Sequence, residues 1–251
     1  VEKTAAMLFD STNVIFIFET ILAALLVSLL AARISLAFAR KTGLIDLPGS
    51  APHKQHGNPV PLSGGLTLLV TILVIGWYLS SFDQPDIRGA ILAAVPIFIF
   101  GLWDDYRSLP PSIKLFAQVF GAVILIHQGI YIQIFESPEF FFHGSGGIYL
   151  YLNWALTVLW VVGITNAFNF VDSMDGLAVG LAAMAASFFL LVTLASGQLH
   201  LALYSAMLIG TCIGLYFFNS PPALLFLGDS GAQLLGFLLA VLGISYEPLG
   251  A

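Results

Sequence analysis

Long apolar runs separated by short polar stretches decide what this chain can fold into. They lie near 13–38, 64–81, 87–102, 112–128, 148–165, 177–195, 201–218 and 230–246, and they are continuous rather than alternating. A run of about 20 apolar residues crosses the hydrocarbon core of a bilayer as a helix. In lipid a helix satisfies its own backbone donors and acceptors, which an open strand cannot do. Composition agrees, with 59% hydrophobic and only 9% charged residues, where a soluble domain carries about a quarter charged. The expected fold class is an all-α polytopic membrane protein with about eight transmembrane helices. One segment departs from the pattern. In 129–147, Ile130, Ile132 and Ile134 alternate ahead of Ser137-Pro138, and a small external β-hairpin is expected there. Residues 1–251 show no repeat and no long linker, so they are read as a single integral membrane domain.

The basic residues set the orientation. Arg33, Arg40 and Lys41 close the first run, which places that end in the cytosol. Loops 41–63, 103–111, 166–176 and 219–229 then face the same way. Arg33, Arg40, Lys41, Lys54, Arg107 and Lys114 fall on that side, against Lys3 and Arg88 on the other. The first run has no basic segment before it and no small-residue cleavage site after it, so it is not a cleaved signal peptide. A net charge of −6 without a basic stripe argues against nucleic acid as a partner. The single cysteine, Cys212, lies inside an apolar run and forms no intrachain disulfide.

Four polar islands share the inner side. The first runs from Gly43-Leu-Ile-Asp46 through Pro52-His-Lys-Gln-His56 to Val60-Pro-Leu-Ser-Gly-Gly65. The second is Trp103-Asp-Asp-Tyr-Arg107. The third is Asn166-Ala-Phe-Asn-Phe-Val-Asp-Ser-Met-Asp-Gly176, and the fourth joins Asn219-Ser-Pro-Pro222 to Phe226-Leu-Gly-Asp-Ser-Gly231. Asn169, Asp172 and Asp175 recur every third residue, so on a helix they would share a face. Adjacent Asp104 and Asp105 repel, and a neighbouring cation is expected if both are buried. Carboxylates at membrane-helix ends are costly unless a cation or a polar cavity receives them. An oxygen-only cluster of Asp and Asn suits Mg²⁺, with one or two carboxylates plus substrate phosphates. Zinc is disfavoured, because His53 and His56 stand alone and Cys212 is in a span.

With these motifs in order from Gly43 to Gly231, the chain resembles the polyprenyl-phosphate N-acetylhexosamine-1-phosphate transferase superfamily. The family's Asp-Asp pair after the third span matches Asp104-Asp105. Its Asn-x-x-Asp-x-x-Asp-Gly matches Asn169, Asp172, Asp175 and Gly176, and its Asn followed by a Gly-Asp matches Asn219 and Asp229. The resemblance implies transfer of a HexNAc-1-phosphate, GlcNAc-1-phosphate first among them, from a UDP-sugar to polyprenyl (undecaprenyl) phosphate with release of UMP. It implies Mg²⁺, with Mn²⁺ as an alternative, on Asp229 and Asn169. Catalytic roles fall to Asp104, Asp105 and Asp172: Asp104 takes a residual proton or holds the acceptor, and Asp105 positions it. Substrate contacts fall to Lys54, Asp175, Asn219 and Phe226, the phenyl ring stacking on uracil. The site would lie on the cytosolic face of the inner (plasma) membrane, with a homodimer as one open arrangement. Where the muramyl-pentapeptide branch has Thr-Pro-Thr-Met-Gly-Gly, this chain has Val60-Pro-Leu-Ser-Gly-Gly65, which favours an amino-sugar nucleotide. Relatives continue through further spans, so the 251 residues are expected to be part of a longer enzyme.

Other classes are weighed against this. A cation- or proton-coupled transporter would place carboxylates near the midplane, whereas these gather at helix ends. Gly228-Asp-Ser-Gly231 looks like a serine nucleophile tract, yet His127, His143 and His200 map to the opposite side, out of reach of a catalytic serine. An intramembrane aspartyl protease is disfavoured because Phe226 stands where a Gly would precede Gly-Asp.

Overall fold

The computed structural model describes residues 11–48, 58–79, 84–137, 144 and 146–247, with the backbone alone at 85 and 86. The helices are α1 (Ser11–Thr42), α2 (Gly64–Tyr78), α3 (Pro85–Tyr106), α4 (Pro111–His127), α5 (Gly147–Val171), α6 (Leu177–Ala195), α7 (Leu199–Asn219) and α8 (Gly228–Ser245). All but α2 and α4 are long and apolar enough to cross a membrane, and those two are shorter apolar helices. Two short strands, β1 (Ile45–Asp46) and β2 (Val60–Pro61), pair antiparallel across the first inner loop, with Ile45 opposite Pro61. The chain is an all-α polytopic membrane protein.

Helices α7 and α8 form the centre and are mostly buried, whereas α1 and α5 turn most of their surface outward. Phe18, Leu22, Leu26, Leu30 and Ile34 of α1 are exposed, as lipid-facing side chains should be. α1 packs on α7 and α2, α6 packs on α7, and α8 is held among α3, α5 and α2. Association in lipid gains little from apolar burial and relies on close backbone approach. Small residues supply that approach. A Cβ on Gly214 would lie 2.6 Å from the Ser28 Cβ, and one on Gly236 would lie 3.0 Å from the Thr165 Cα. Ala178, Ala182 and Ala186 are fully buried. The small-residue spacings in α6 and α8 are therefore packing features.

The described residues of 129–147 contain no strand, so the hairpin expected there is not seen among them. Two of its backbone donors go to side chains of α5. The Ile132 N–H donates to the Thr157 hydroxyl at 2.9 Å and the Phe135 N–H to Asn153 Oδ1 at 3.0 Å. Alternation of isoleucines reports one buried face, which an irregular segment laid along a helix supplies as well as a strand does.

Candidate active site at one end of the bundle

The four polar islands converge where α1, α3, α5 and α7 end and α2, α4, α6 and α8 begin. They line a cavity of about 720 Å³ whose walls include Asp46, Asp104, Asp105, Asn169, Asp172, Asp175, Asn219, Phe226 and Asp229. Lys54, with His53 and His56, lies outside the described residues.

The start of α8 is fixed by Asp105. Its carboxylate accepts the Asp229 N–H at 2.6 Å, the Ser230 N–H at 3.2 Å and the Ser230 hydroxyl at 2.5 Å. The first N–H groups of a helix have no intrahelical acceptor, and a carboxylate there also meets the positive end of the helix dipole. Gly228, at φ +70°, makes this contact possible: a Cβ there would sit 2.7 Å from both carboxylate oxygens. The first loop docks on the same tract. Phe226 donates its N–H to the Pro61 carbonyl at 2.9 Å, its own carbonyl accepts the Gly64 N–H at 3.0 Å, and the Leu227 carbonyl accepts the Gly65 N–H at 3.1 Å. A Cβ on Gly64 would lie 2.6 Å from the Leu227 Cα. Val60-Pro-Leu-Ser-Gly-Gly65 and Phe226–Gly231 thus form one structural unit.

The third island is less helical than its three-residue spacing suggests. α5 ends at Val171, Asp172 is its C-cap, and Asp175 lies in the turn before α6. The three side chains therefore do not share a helix face, although all of them line the cavity. The chain leaves the helix here because Asp172-Ser-Met-Asp-Gly176 favours a turn, closed by Gly176 at φ +75°. Asp175 Oδ2 accepts the Ala223 N–H at 3.0 Å. Asn219 is 2% exposed and holds both neighbouring loops: its Oδ1 accepts the Gly176 N–H at 3.1 Å, and its Nδ2 donates to the Leu225 carbonyl at 3.0 Å. The Asn169 amide donates to Asp229 Oδ1.

The cation called for by the adjacent aspartates is Lys114. Its Nζ lies 2.6 Å from Asp104 Oδ2 and 3.1 Å from Asp229 Oδ2, while Asp104 Oδ1 accepts the Leu109 N–H at 2.5 Å. In the sequence alone Lys114 bears only on orientation. A lysine one turn into an apolar helix was the available signal, since an ionisable residue in such a helix usually has a partner there. Asp46, buried in β1 and on the cavity wall, was likewise read only as one of the inner acids. Burial pushes the Asp172 carboxyl up to about 8, helped by the charges of Asp229, Asp105 and Asp175.

The donor chemistry can be tested against a metal ion. Among the described residues no group of three or more His, Cys, Asp or Glu side chains forms a cage. Mg²⁺ asks for less, since it keeps several waters and takes one or two carboxylates together with substrate phosphates. Asp229, with Asp104 and the Asn169 amide on the same cavity, offers oxygen donors of that kind, and the set fits. Ser230 does not fit a nucleophile. It is 1% exposed and its hydroxyl is bound to Asp105, while His127 and His200 sit at the far ends of α4 and α7.

Apolar spanning helices around a polar cavity at one end define a multi-pass membrane protein with an acidic site. A family model described as glycosyl transferase family 4 matches residues 87–247, and the chain belongs to that family. The second, third and fourth islands all fall inside the matched residues. The chain is 29% identical over 206 residues to the "Probable undecaprenyl-phosphate N-acetylglucosaminyl 1-phosphate transferase" of Bacillus subtilis (strain 168), covering 82% of this chain and 56% of that protein. It is 33% identical over 213 residues to the undecaprenyl-phosphate alpha-N-acetylglucosaminyl 1-phosphate transferase of Thermotoga maritima, covering 83% and 59%. With the phospho-N-acetylmuramoyl-pentapeptide-transferase of Lactiplantibacillus plantarum it shares 30% identity over 220 residues, covering 82% and 67%. The chain thus spans between about half and two thirds of the length of these relatives.

Proposed function

We propose that this chain carries the active site of a phosphoglycosyl transferase that moves a HexNAc-1-phosphate, GlcNAc-1-phosphate by preference, from a UDP-sugar to undecaprenyl or a similar polyprenyl phosphate. The observation that carries the reading is the convergence of Asp104, Asp229 and Asn169 around Lys114, on one cavity at one end of a membrane bundle. The relatives' names supply the substrate class. In the reaction, an oxygen of the acceptor phosphate attacks the β-phosphorus, the bond from that phosphorus to the α–β bridging oxygen breaks, and UMP leaves. The acceptor phosphate is an adequate nucleophile near pH 7, its second pKa being about 6.

The protein's work is to bring polyanions together and hold them in line. Lys114 screens the carboxylates and meets the incoming phosphates, and Lys54, carried over from the family motif, adds a second cation. Asp104 holds the acceptor and takes any residual proton. Asp105 sets the start of α8 and thereby the position of Asp229. Asp172, neutral below about pH 8, can donate a hydrogen bond to a phosphate oxygen. Asp175 contacts the uridine and Phe226 stacks on its base. Asn219 shapes this subsite by holding Gly176 and Leu225, because both ends of its amide are already engaged. Mg²⁺, or Mn²⁺ in its place, held by Asp229 with Asn169, would supply charge neutralisation for the diphosphate and the leaving group. Positive-inside bias supports a cytosolic site in the plasma (inner) membrane.

The test is exchange of labelled UMP into a panel of UDP-sugars by the full chain in liposomes. Label should enter a UDP-HexNAc only when polyprenyl phosphate and a divalent cation are present. Exchange indifferent to the lipid would remove the reading. Ion flux without any UDP-sugar would restore the transporter.

A further inference from the structure

Beneath the site lies a second polar layer for which the proposed chemistry has no use. Lys114, Asn169 and Asp229 each have a polar residue one helical turn deeper on the same face of the helix. Gln118 follows Lys114 on α4, Asn166 precedes Asn169 on α5, and Gln233 follows Asp229 on α8. These three side chains bond to one another across all three helices. Gln118 Nε2 donates to Gln233 Oε1 at 3.0 Å and to Asn166 Oδ1 at 3.3 Å, and Asn166 Nδ2 donates to Gln118 Oε1 at 2.6 Å. Gln118 is 1% and Gln233 2% exposed.

Amides at this depth are costly unless paired, and the layer is not even fully paired: among the described residues Gln233 Nε2 has no hydrogen-bond partner. Leucine would fill the same space without leaving a buried donor unmet. What leucine cannot supply is direction. A single polar layer in a helix bundle fixes register and rotation. Here rotation matters, because the layer above depends on it: a modest turn of α4 would carry Lys114 out from between Asp104 and Asp229, which it contacts at 2.6 and 3.1 Å.

We propose that Gln118, Asn166 and Gln233 are positioning residues for the site, locking α4, α5 and α8 in the rotation that puts Lys114 between the two carboxylates and Asn169 on Asp229. The kinetic part of this rests on the proposed transfer, but the placement of Lys114 does not. The layer acts through the residues above it and touches no substrate.

The test uses the full chain in detergent and reads Lys114 directly, by the rate at which an isotopically coded acetylating reagent modifies its amine. In the wild-type chain the double ion pair should keep that rate low. Gln118→Leu leaves its partners unmatched and can destabilise the fold. The double variant Gln118→Leu/Gln233→Leu removes both ends of the Gln118–Gln233 bond and leaves Asn166 its bond to the Val162 carbonyl, so folding should survive. In the folded double variant Lys114 should acetylate several-fold faster. Turnover should fall about 10–100-fold, the usual scale for residues that orient ligating groups, with little change in KM for the UDP-sugar. Wild-type acetylation in the folded double variant would overturn the proposal. Absence of transfer by the wild-type chain would count against the proposed function alone, since the labelling comparison stands without substrate.

Discussion

Replacing Gly228 by alanine separates backbone strain from loss of the contact that fixes α8. Gly228 has φ +70° and Gly129 has φ +83°, so alanine at either position pays a left-handed conformational cost of about 1–2 kcal/mol. The two sites then differ. Around Gly129 a Cβ would meet nothing within 4 Å, whereas at Gly228 it would lie 2.7 Å from both Asp105 carboxylate oxygens. Asp105 has to retreat, and its bonds to the Asp229 N–H, the Ser230 N–H and the Ser230 hydroxyl retreat with it. Losing two of those three at about 1.5 kcal/mol each adds roughly 3 kcal/mol. Gly228→Ala should therefore be destabilised by roughly 3 kcal/mol more than Gly129→Ala in a denaturant titration followed by tryptophan fluorescence. Transfer by Gly228→Ala should drop as well, because Asp229 moves with the helix start. Equal losses in the two variants would refute the role given to Asp105.

Other substitutions test the remaining parts of the site. Lys114→Met leaves Asp104 and Asp229 facing each other without a cation, and turnover should fall about 10²–10³-fold in an initial-rate assay; a near-native rate would remove Lys114 from the chemistry. Asn219→Ala strands the Gly176 N–H and the Leu225 carbonyl, at a cost of about 2–4 kcal/mol in the same titration, and a loss under about 1 kcal/mol would contradict that assignment. Asp172 holds its proton more tightly folded, near 8, than its ordinary 3.8. Its stabilising neutral form is fully present at low pH and is lost as pH rises from about 4 through about 8. Stability measured between pH 5 and 8.5 should therefore decline, and Asp172→Asn should flatten that decline; an unchanged slope would place Asp172 in a more solvated setting.

The helices were legible because lipid leaves a chain few alternatives, and each expected run became a helix. The ends were harder to read for a physical reason. Asn166 was read as the start of a loop, yet α5 continues to Val171, because Asn166 donates to the Val162 carbonyl at 2.8 Å and to Gln118. Asp104 and Asp105 likewise sit in the last turn of α3 rather than beyond it, with Lys114 and the α8 N-terminus as partners. A polar residue announces a loop only when it has no partner across the bundle, and partners are non-local. The same blindness hid Lys114 and the docking of Ser63-Gly-Gly65 on Phe226–Gly231. Residue types and their order pointed to the acidic cavity; which of them meet substrate and which hold backbone needed the fold.

The central claim is that a phosphorus–oxygen bond of the UDP-sugar is broken at this cavity and the sugar leaves with its phosphate. The most direct measurement supplies UDP-GlcNAc labelled with ³²P at the β-phosphate, together with polyprenyl phosphate and Mg²⁺, and partitions the products between organic and aqueous phases. Label should appear in the lipid extract with wild-type chain and be absent with Asp229→Asn. Label retained in aqueous UDP while the sugar reaches the lipid would mean the glycosidic bond was cut instead, and lipid labelling undiminished in Asp229→Asn would mean the chemistry takes place elsewhere.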